Sequence, residues 1–418
     1  MQWFYTAVRH VLLVSLLMAF VPSGAQAQLP ASPLACDPEG TQANGALYLI
    51  CVPPNWNGKL IIYAHGYIAP NEPLANQITL PDGSSIADAV QFLGFAFATT
   101  SYSRNGLAVL NGIQSIVELV GIFHAQKGAP QAIYLLGASQ GGLVTTLAVE
   151  QWPHLFDGGL ALCGPYGNFA AQLDYFTDAR VIFDYFFPGL LAGTPISIPQ
   201  SLMDNWSTVY TTTVQPALLD TANAGKVDQL LAVVNLPYNT DQNDGISDAE
   251  AKATAIADVL WYNIMGTNDG IATLGGSPYD NQAKVYSGSA DDTALNQAAQ
   301  RFSADAAALA EITTRYQTSG NLRIPLVTMH TSADPIVPYS QVGLYQAKVD
   351  GQGRKDYLGH IPVAGYGHCV FTLLQMQAAF ALLEQMVATL PAYQPNQLYL
   401  SLVASSQPKP SRFVFGQP

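Results

Sequence analysis

Short, continuously apolar runs recur along the chain and alternate with longer stretches whose apolar positions return every three or four residues. The short runs fall at 46–52, 59–66, 94–103, 132–139, 158–164, 325–334 and 360–368. Several have no polar face at all, as expected of parallel strands covered on both sides. The helical periods fall at 85–94, 111–128, 140–152 and 372–390. Strand and helix in alternation predict an α/β fold built on a mostly parallel central sheet flanked by helices.

The alternation stops between 165 and 322. This stretch is rich in aromatics, as in "LDYFTDARVIFDYFFPGLL" at 173–191, and in Asn, Asp and Gly. It carries helix starts of its own: Ser247 and Glu250 form a capping box ahead of an apolar periodic run. The nearby "DQNDGISDAE" has the flavour of a calcium loop, but the spacing fails. With Gly245 sixth, the first and twelfth positions are Thr240 and Ala251, neither a carboxylate. The expected organisation is therefore a core from 28 to 164, an inserted, largely helical cap or lid from 165 to 322, a second core part from 323 to 390, and a surface-bound or loose tail from 391 to 418. No internal repeat is visible.

Residues 1–27 are set apart. One positive charge at Arg9, an apolar stretch "VLLVSLLMAFV" and an Ala25-Gln26-Ala27 site follow in the order of a secretory signal peptide. The apolar stretch is short for a membrane span, and no later segment is long and apolar enough for one, so the expectation is a secreted or periplasmic protein without a span after cleavage. The chain is 49% hydrophobic and 11% charged, with a formal net charge of −13. An acidic surface disfavours nucleic acid and anionic lipid as partners. Four cysteines remain after export, Cys36, Cys51, Cys163 and Cys369, and an oxidising compartment favours two disulfides. Three pairings exist. A short loop between Cys36 and Cys51, worth about 3 kcal/mol on the chain-entropy account, leaves Cys163 for Cys369.

The candidate chemistry centres on "GASQGG", where an apolar strand pattern turns directly into a helical one at Ser139. A Gly-x-Ser-x-Gly in that setting is the arrangement of a nucleophile elbow, with Gly137 and Gly141 relieving contacts that side chains would make. A serine hydroxyl needs a base, and the base needs an orienting acid. Of the six histidines after the leader, His368 in "GYGHCVF" follows the last core strand at the sheet edge expected for Ser139. His65 and His330 read as structural, one bracing a loop and one inside an apolar strand, and His360 begins its strand at the opposite end. Asp334 ends the strand "PLVTMHTSAD" at the same edge as Ser139. The backbone N–H groups of Gln140 and Tyr67 are the expected oxyanion donors.

Together "HGY" after one strand, "GASQGG" after a later one, then "SADPIVP" and "GYGHC", in that order, resemble the α/β-hydrolase superfamily over about 29–164 and 323–390. The resemblance implies an α/β-hydrolase fold with a cap inserted after the strand that follows the nucleophile helix. It also implies Ser139, His368 and Asp334 as nucleophile, base and acid, with Tyr67 and Gln140 as oxyanion donors. "GHC" is further similar to the tannase and feruloyl esterase group, in which a cysteine after the base is bonded to one just before the nucleophile. Ala138 stands at that earlier position here, and the resemblance then implies Cys163 as the substitute partner of Cys369.

Three functions compete. The leading one is a secreted serine esterase acting on a small or polymeric ester, with no metal or organic cofactor called for. Phe and Tyr residues of 175–187, with Trp206 and Trp261, are candidates to roof an acyl pocket. The second is a secreted peptidase of aminopeptidase type, in which Asp174, Asp178 and Asp184 would hold a free amine. The third is an inactive hydrolase fold serving as a binding module, which would normally lack a triad member. A dehalogenase is disfavoured because it needs a carboxylate at position 139.

Overall fold

The computed structural model describes residues 35–79, 85–241 and 245–393; the expected leader and all but the first three residues of 391–418 lie outside them. Within the described residues, eight strands make one sheet. They are β1 (Gly40–Thr41), β2 (Leu47–Cys51), β3 (Lys59–Ala64), β4 (Ala96–Thr100), β5 (Ala132–Ala138), β6 (Gly158–Leu162), β7 (Leu326–Ala333) and β8 (Leu358–Tyr366). Their spatial order is β1-β2-β4-β3-β5-β6-β7-β8. Only β1–β2 and β2–β4 pair antiparallel; the six strands from β3 to β8 run parallel. This is the α/β-hydrolase fold.

The apolar runs have no polar face because both faces are covered. Along β3, Leu60, Ile62 and Ala64 point into one layer while Ile61 and Tyr63 point into the other. The first layer holds α2 (Val109–Lys127) and α3 (Gln140–Gln151), the second α1 (Ile86–Phe92) and α8 (Leu373–Thr389). Two elements escape the sequence pattern. β1 has two residues, too few to show a period. The helix α7 (Ser340–Gly351) contains two glycines and buries only Gln341, Tyr345 and Val349, one residue per turn, so its apolar stripe is thin.

Between β6 and β7 the chain leaves the sheet. The helices α4 (Phe169–Phe186), α5 (Ala224–Val234) and α6 (Asp248–Leu274), with short turns of helix between them, enclose a second apolar core around Phe183, Trp206, Leu230, Ile256 and Leu260. The expected capping box is present at the start of α6: Glu250 N–H donates to Ser247 Oγ at 3.3 Å, and Ser247 N–H to Glu250 Oε2 at 3.0 Å. Polar contacts lash the segment to the sheet's carboxyl edge. From α4, Tyr175 OH donates to Pro335 O at 2.7 Å and Gln172 Nε2 to Ile336 O at 2.8 Å. From α6, Asp269 pairs with Arg104 and accepts Leu107 N–H.

Both expected disulfides form. Cys36–Cys51 fastens the start of the described chain to β2, and Cys163–Cys369 joins the end of β6 to the turn after β8 across 206 positions. Among the described residues no helix is long and apolar enough to cross a membrane.

Candidate active site

β5 ends at Ala138 and α3 begins at Gln140, leaving Ser139 alone to make the turn. It does so at φ 57°, ψ −124°. A residue with a Cβ pays of order 1–3 kcal/mol to sit in such a region, and the surroundings hold it there: Ser139 N–H donates to Leu162 O at 2.9 Å, and Ser139 O accepts Gly142 N–H at 2.9 Å. The flanking glycines are steric necessities. A methyl group on Gly141 would overlap the carbonyl oxygens of Ala64 and His65, and one on Gly137 would overlap the carbonyl of Gly141. Three strands and a helix therefore meet around one serine only because two neighbours lack side chains.

His368 reaches back from the turn after β8. Its Nε2 lies 2.8 Å from Ser139 Oγ and its Nδ1 2.8 Å from Asp334 Oδ2. A carboxylate beside Nδ1 calls for the proton on that nitrogen, which leaves Nε2 free to accept from the serine hydroxyl. Asp334 is 1% exposed. Its Oδ1 accepts the N–H groups of Ile336 and Val337, each at 2.9 Å. Burial by itself would raise this carboxyl, but the imidazoles of His368 and His330 outweigh it and hold it down to about 2. An anionic carboxylate, an imidazole and a hydroxyl in line can pass the hydroxyl proton to the imidazole as the oxygen attacks a carbonyl.

The other histidines occupy the structural places expected of them. His65 stacks on Tyr102 with ring centres 3.9 Å apart, and its Nδ1 bonds Gly66 O at 2.8 Å. Burial lowers its pKa. His360 lies near the start of β8, bonded to Thr328 and Tyr339. His330 is fully buried, and its Nε2 bonds Val337 O at 2.9 Å. It does one thing the sequence reading missed: the same nitrogen lies 3.5 Å from Asp334 Oδ2, so the acid has two histidine neighbours. The strand period could not have shown it, because Asp334 lies just past the end of β7 and the register shifts between Thr331 and Ala333.

For the oxyanion donors, Gln140 opens α3, where the first N–H groups have no carbonyl within the helix to receive them. The 65–67 loop crosses directly over the serine. A Cβ on Gly66 would stand 3.2 Å from Ser139 Cβ, and Tyr67 follows it into the cavity wall. The disulfide also borders the site: Cys369 Sγ lies 3.7 Å from His368 Nε2. Cys163, His368 and Cys369 are close enough together to suggest a metal, but the two sulfurs are bonded to each other and offer no thiolate.

Ser139 opens into a cavity of about 880 Å³, counting its mouth, between the sheet edge and helices α4 and α6. Its wall is mostly apolar and aromatic. Of the expected roof, Phe176 lines it, stacked on Tyr262 with ring centres 4.9 Å apart. The rest of the roof is elsewhere. Phe183 and Trp206 are packed in the insertion's own core, and Trp261 braces Tyr67 from behind. None of the acidic trio is among the described residues that line the cavity, and two of them are held by other partners. Asp178 accepts from Tyr279 and Tyr286 and pairs with Lys284, and Asp184 pairs with Arg180.

No family model matches the chain. It is similar to an o-phthalyl amidase of Xanthobacter agilis, 25% identical across 90% of this chain and 93% of that protein. Among solved structures it is similar to an esterase of Aspergillus oryzae, with a TM-score of 0.44 and 14% identity over 78% of this chain and 71% of that one. It is also similar to feruloyl esterase B of Aspergillus oryzae, with a TM-score of 0.43 and 14% identity over 79% and 73% of the two chains.

Proposed function

We propose that the chain is a secreted serine hydrolase that cleaves carboxylic esters through an acyl-enzyme. One observation carries the reading: Ser139 Oγ, His368 and Asp334 form a continuous hydrogen-bonded line, 2.8 Å at each step, on a backbone strained to present the hydroxyl. In this reaction Ser139 Oγ bonds to the carbonyl carbon and its proton passes to His368 Nε2. The carbonyl oxygen becomes an oxyanion facing the N–H groups of Gln140 and Tyr67. As the intermediate collapses, the bond to the departing alcohol breaks and the alcohol leaves with the proton from His368. Water then repeats the cycle on the acyl-enzyme and releases the acid. Residues 165–322 act as the cap over the acyl pocket.

A second reading keeps the machinery and changes the bond. The relative from Xanthobacter agilis is named as an amidase and aligns along nearly the whole chain, which favours an acyl amide as substrate. The aminopeptidase form of this reading loses support, because none of the described residues that line the cavity is a carboxylate able to receive a free amine.

A fluorophosphonate probe is expected to label the native protein once, with labelling lost in Ser139→Ala; labelling that survives Ser139→Ala refutes the assignment. Asp334→Asn is expected to lower kcat by about 10⁴ while the far-ultraviolet circular dichroism stays native-like, since the imidazole would take the wrong tautomer. A loss under tenfold moves the acid elsewhere. Steady-state rates on p-nitrophenyl butyrate beside the matching butyryl anilide decide between ester and amide.

A further inference from the structure

Resting on that reading of Ser139, we infer that the part of the substrate held in the cavity is uncharged and carries a hydrogen-bond donor. The argument comes from polar atoms that the protein leaves unserved. Buried side-chain atoms nearly always find a partner, and the exceptions ask for an explanation. Among the described residues four such orphans belong to side chains of this one cavity: Asn263 Oδ1, Gln172 Oε1, Gln140 Nε2 and Tyr67 OH.

Two of them cannot rotate out of the difficulty. Asn263 is 1% exposed, and its Nδ2 is spent on Pro195 O at 2.9 Å and Thr267 Oγ1 at 3.1 Å. Gln172 is 2% exposed, and its Nε2 donates one N–H to Ile336 O at 2.8 Å. Those bonds fix each amide with its nitrogen engaged and its oxygen left over: Asn263 has used both of its N–H groups and presents an acceptor only, while Gln172 keeps one N–H beside its free oxygen. Gln140 Nε2 adds a donor, and the Tyr67 hydroxyl serves either way. Burial, and the Asp269 charge after it, push Tyr67 far above the usual tyrosine range, so it stays a neutral hydroxyl.

Among the described residues that line the cavity none is Asp, Glu, Lys, Arg or His, and the imidazole of His368 stands beside it at Ser139. A carboxylate entering this site would meet two carbonyl-type oxygens with no cation, and an ammonium would find no anion; either would lose its hydration without replacement. An N–H or O–H on an otherwise apolar or aromatic group would satisfy Asn263 and Gln172, and an adjoining acceptor would take Gln140 Nε2. A carboxamide supplies both. A hydroxyl supplies the donor and can also accept.

The test uses Ser139→Ala, which cannot turn over, and calorimetric binding of five methyl 3-phenylpropanoates that differ only at the para position. Carboxamide and hydroxymethyl compounds are expected to bind at least tenfold tighter than the methyl compound, the factor expected when one buried acceptor regains its partner. Carboxylate and ammoniomethyl compounds are expected to bind more weakly than methyl. In a further Asn263→Leu exchange the advantage of the two donors over the methyl compound should shrink to within threefold. A variant that merely misfolds loses all five together, and the single-variant panel then decides alone. Equal affinity for methyl and carboxamide, tightest binding of a charged compound, or no binding of any compound overturns the inference. Fluorophosphonate labelling of the native protein is read separately. Loss of donor preference with labelling intact defeats only this inference, whereas absent labelling defeats the reading of Ser139.

Discussion

Ser139 and its glycine neighbours show how little freedom the site allows a single residue. Gly141 has no room for even a methyl group, because the carbonyls of Ala64 and His65 occupy the place where it would go. Backbone oxygens cannot swing aside as a flexible side chain can, so Gly141→Ala must push α3 away from β3. The expected outcome is a loss of stability of about 3 kcal/mol or more, together with the serine's alignment. A midpoint in urea within error of the native one would mean that the helix has slack. Asp334 illustrates the electrostatic side. Its carboxyl is held down to about 2, below the ordinary aspartate value of about 3.9, so its stabilising share is present above pH 4 and is lost as pH falls toward 2. Both residues could be picked from the sequence as motif members. The second histidine beside the acid, His330, could not, since its role depends on the turn at Pro335 bringing Val337 O to the same nitrogen.

At the scale of elements, α4 carries most of what the sequence left open. Its leading turns reach the loop after Asp334 through Gln172 and Tyr175, and its apolar side fills the insertion's core through Ile182 and Phe183. One turn apart on it lie Asp174 and Asp178. Burial first, and the neighbouring Asp178 charge after it, raise Asp174 to about 7, with Lys284 pulling the other way. The sign follows from proton counting. Between about 4, where the unfolded carboxyl ionises, and about 7, where the folded one does, the folded state holds the extra proton. Stability from this group therefore falls as pH rises through that window. Asp174→Asn removes the penalty. The expected result is a higher Tm than the native protein at pH 8 and no gain at pH 4; an equal gain at both values would trace the effect to something other than ionisation. The helix itself was foreshadowed only as an aromatic-rich stretch, and α7 was not foreshadowed at all, because a single buried residue per turn leaves too faint a period.

Across the whole molecule, one covalent link ties the turn carrying His368 to the core. The Cys163–Cys369 bond spans 206 positions, and on the chain-entropy account a loop of that length is worth about 5 kcal/mol. It also joins two residues with left-handed backbones, at φ 44° and 56°, right beside the imidazole. Mild reduction is expected to lower hydrolysis of p-nitrophenyl butyrate before the far-ultraviolet circular dichroism changes, and neither cysteine should react with iodoacetamide in untreated protein. Activity that persists until unfolding would make the bond a staple for stability alone. The chain by itself determined the strand runs, the helices that cover them and the turn at Ser139, because continuous apolar runs, helical periods and turn sterics leave a local imprint on residue choice. Only the folded state decided what faces the cavity. Whether Phe176 or Trp206 meets the substrate, and whether Asn263 keeps an oxygen free, depends on how helices separated by many residues cross, and no period in the sequence records a crossing angle.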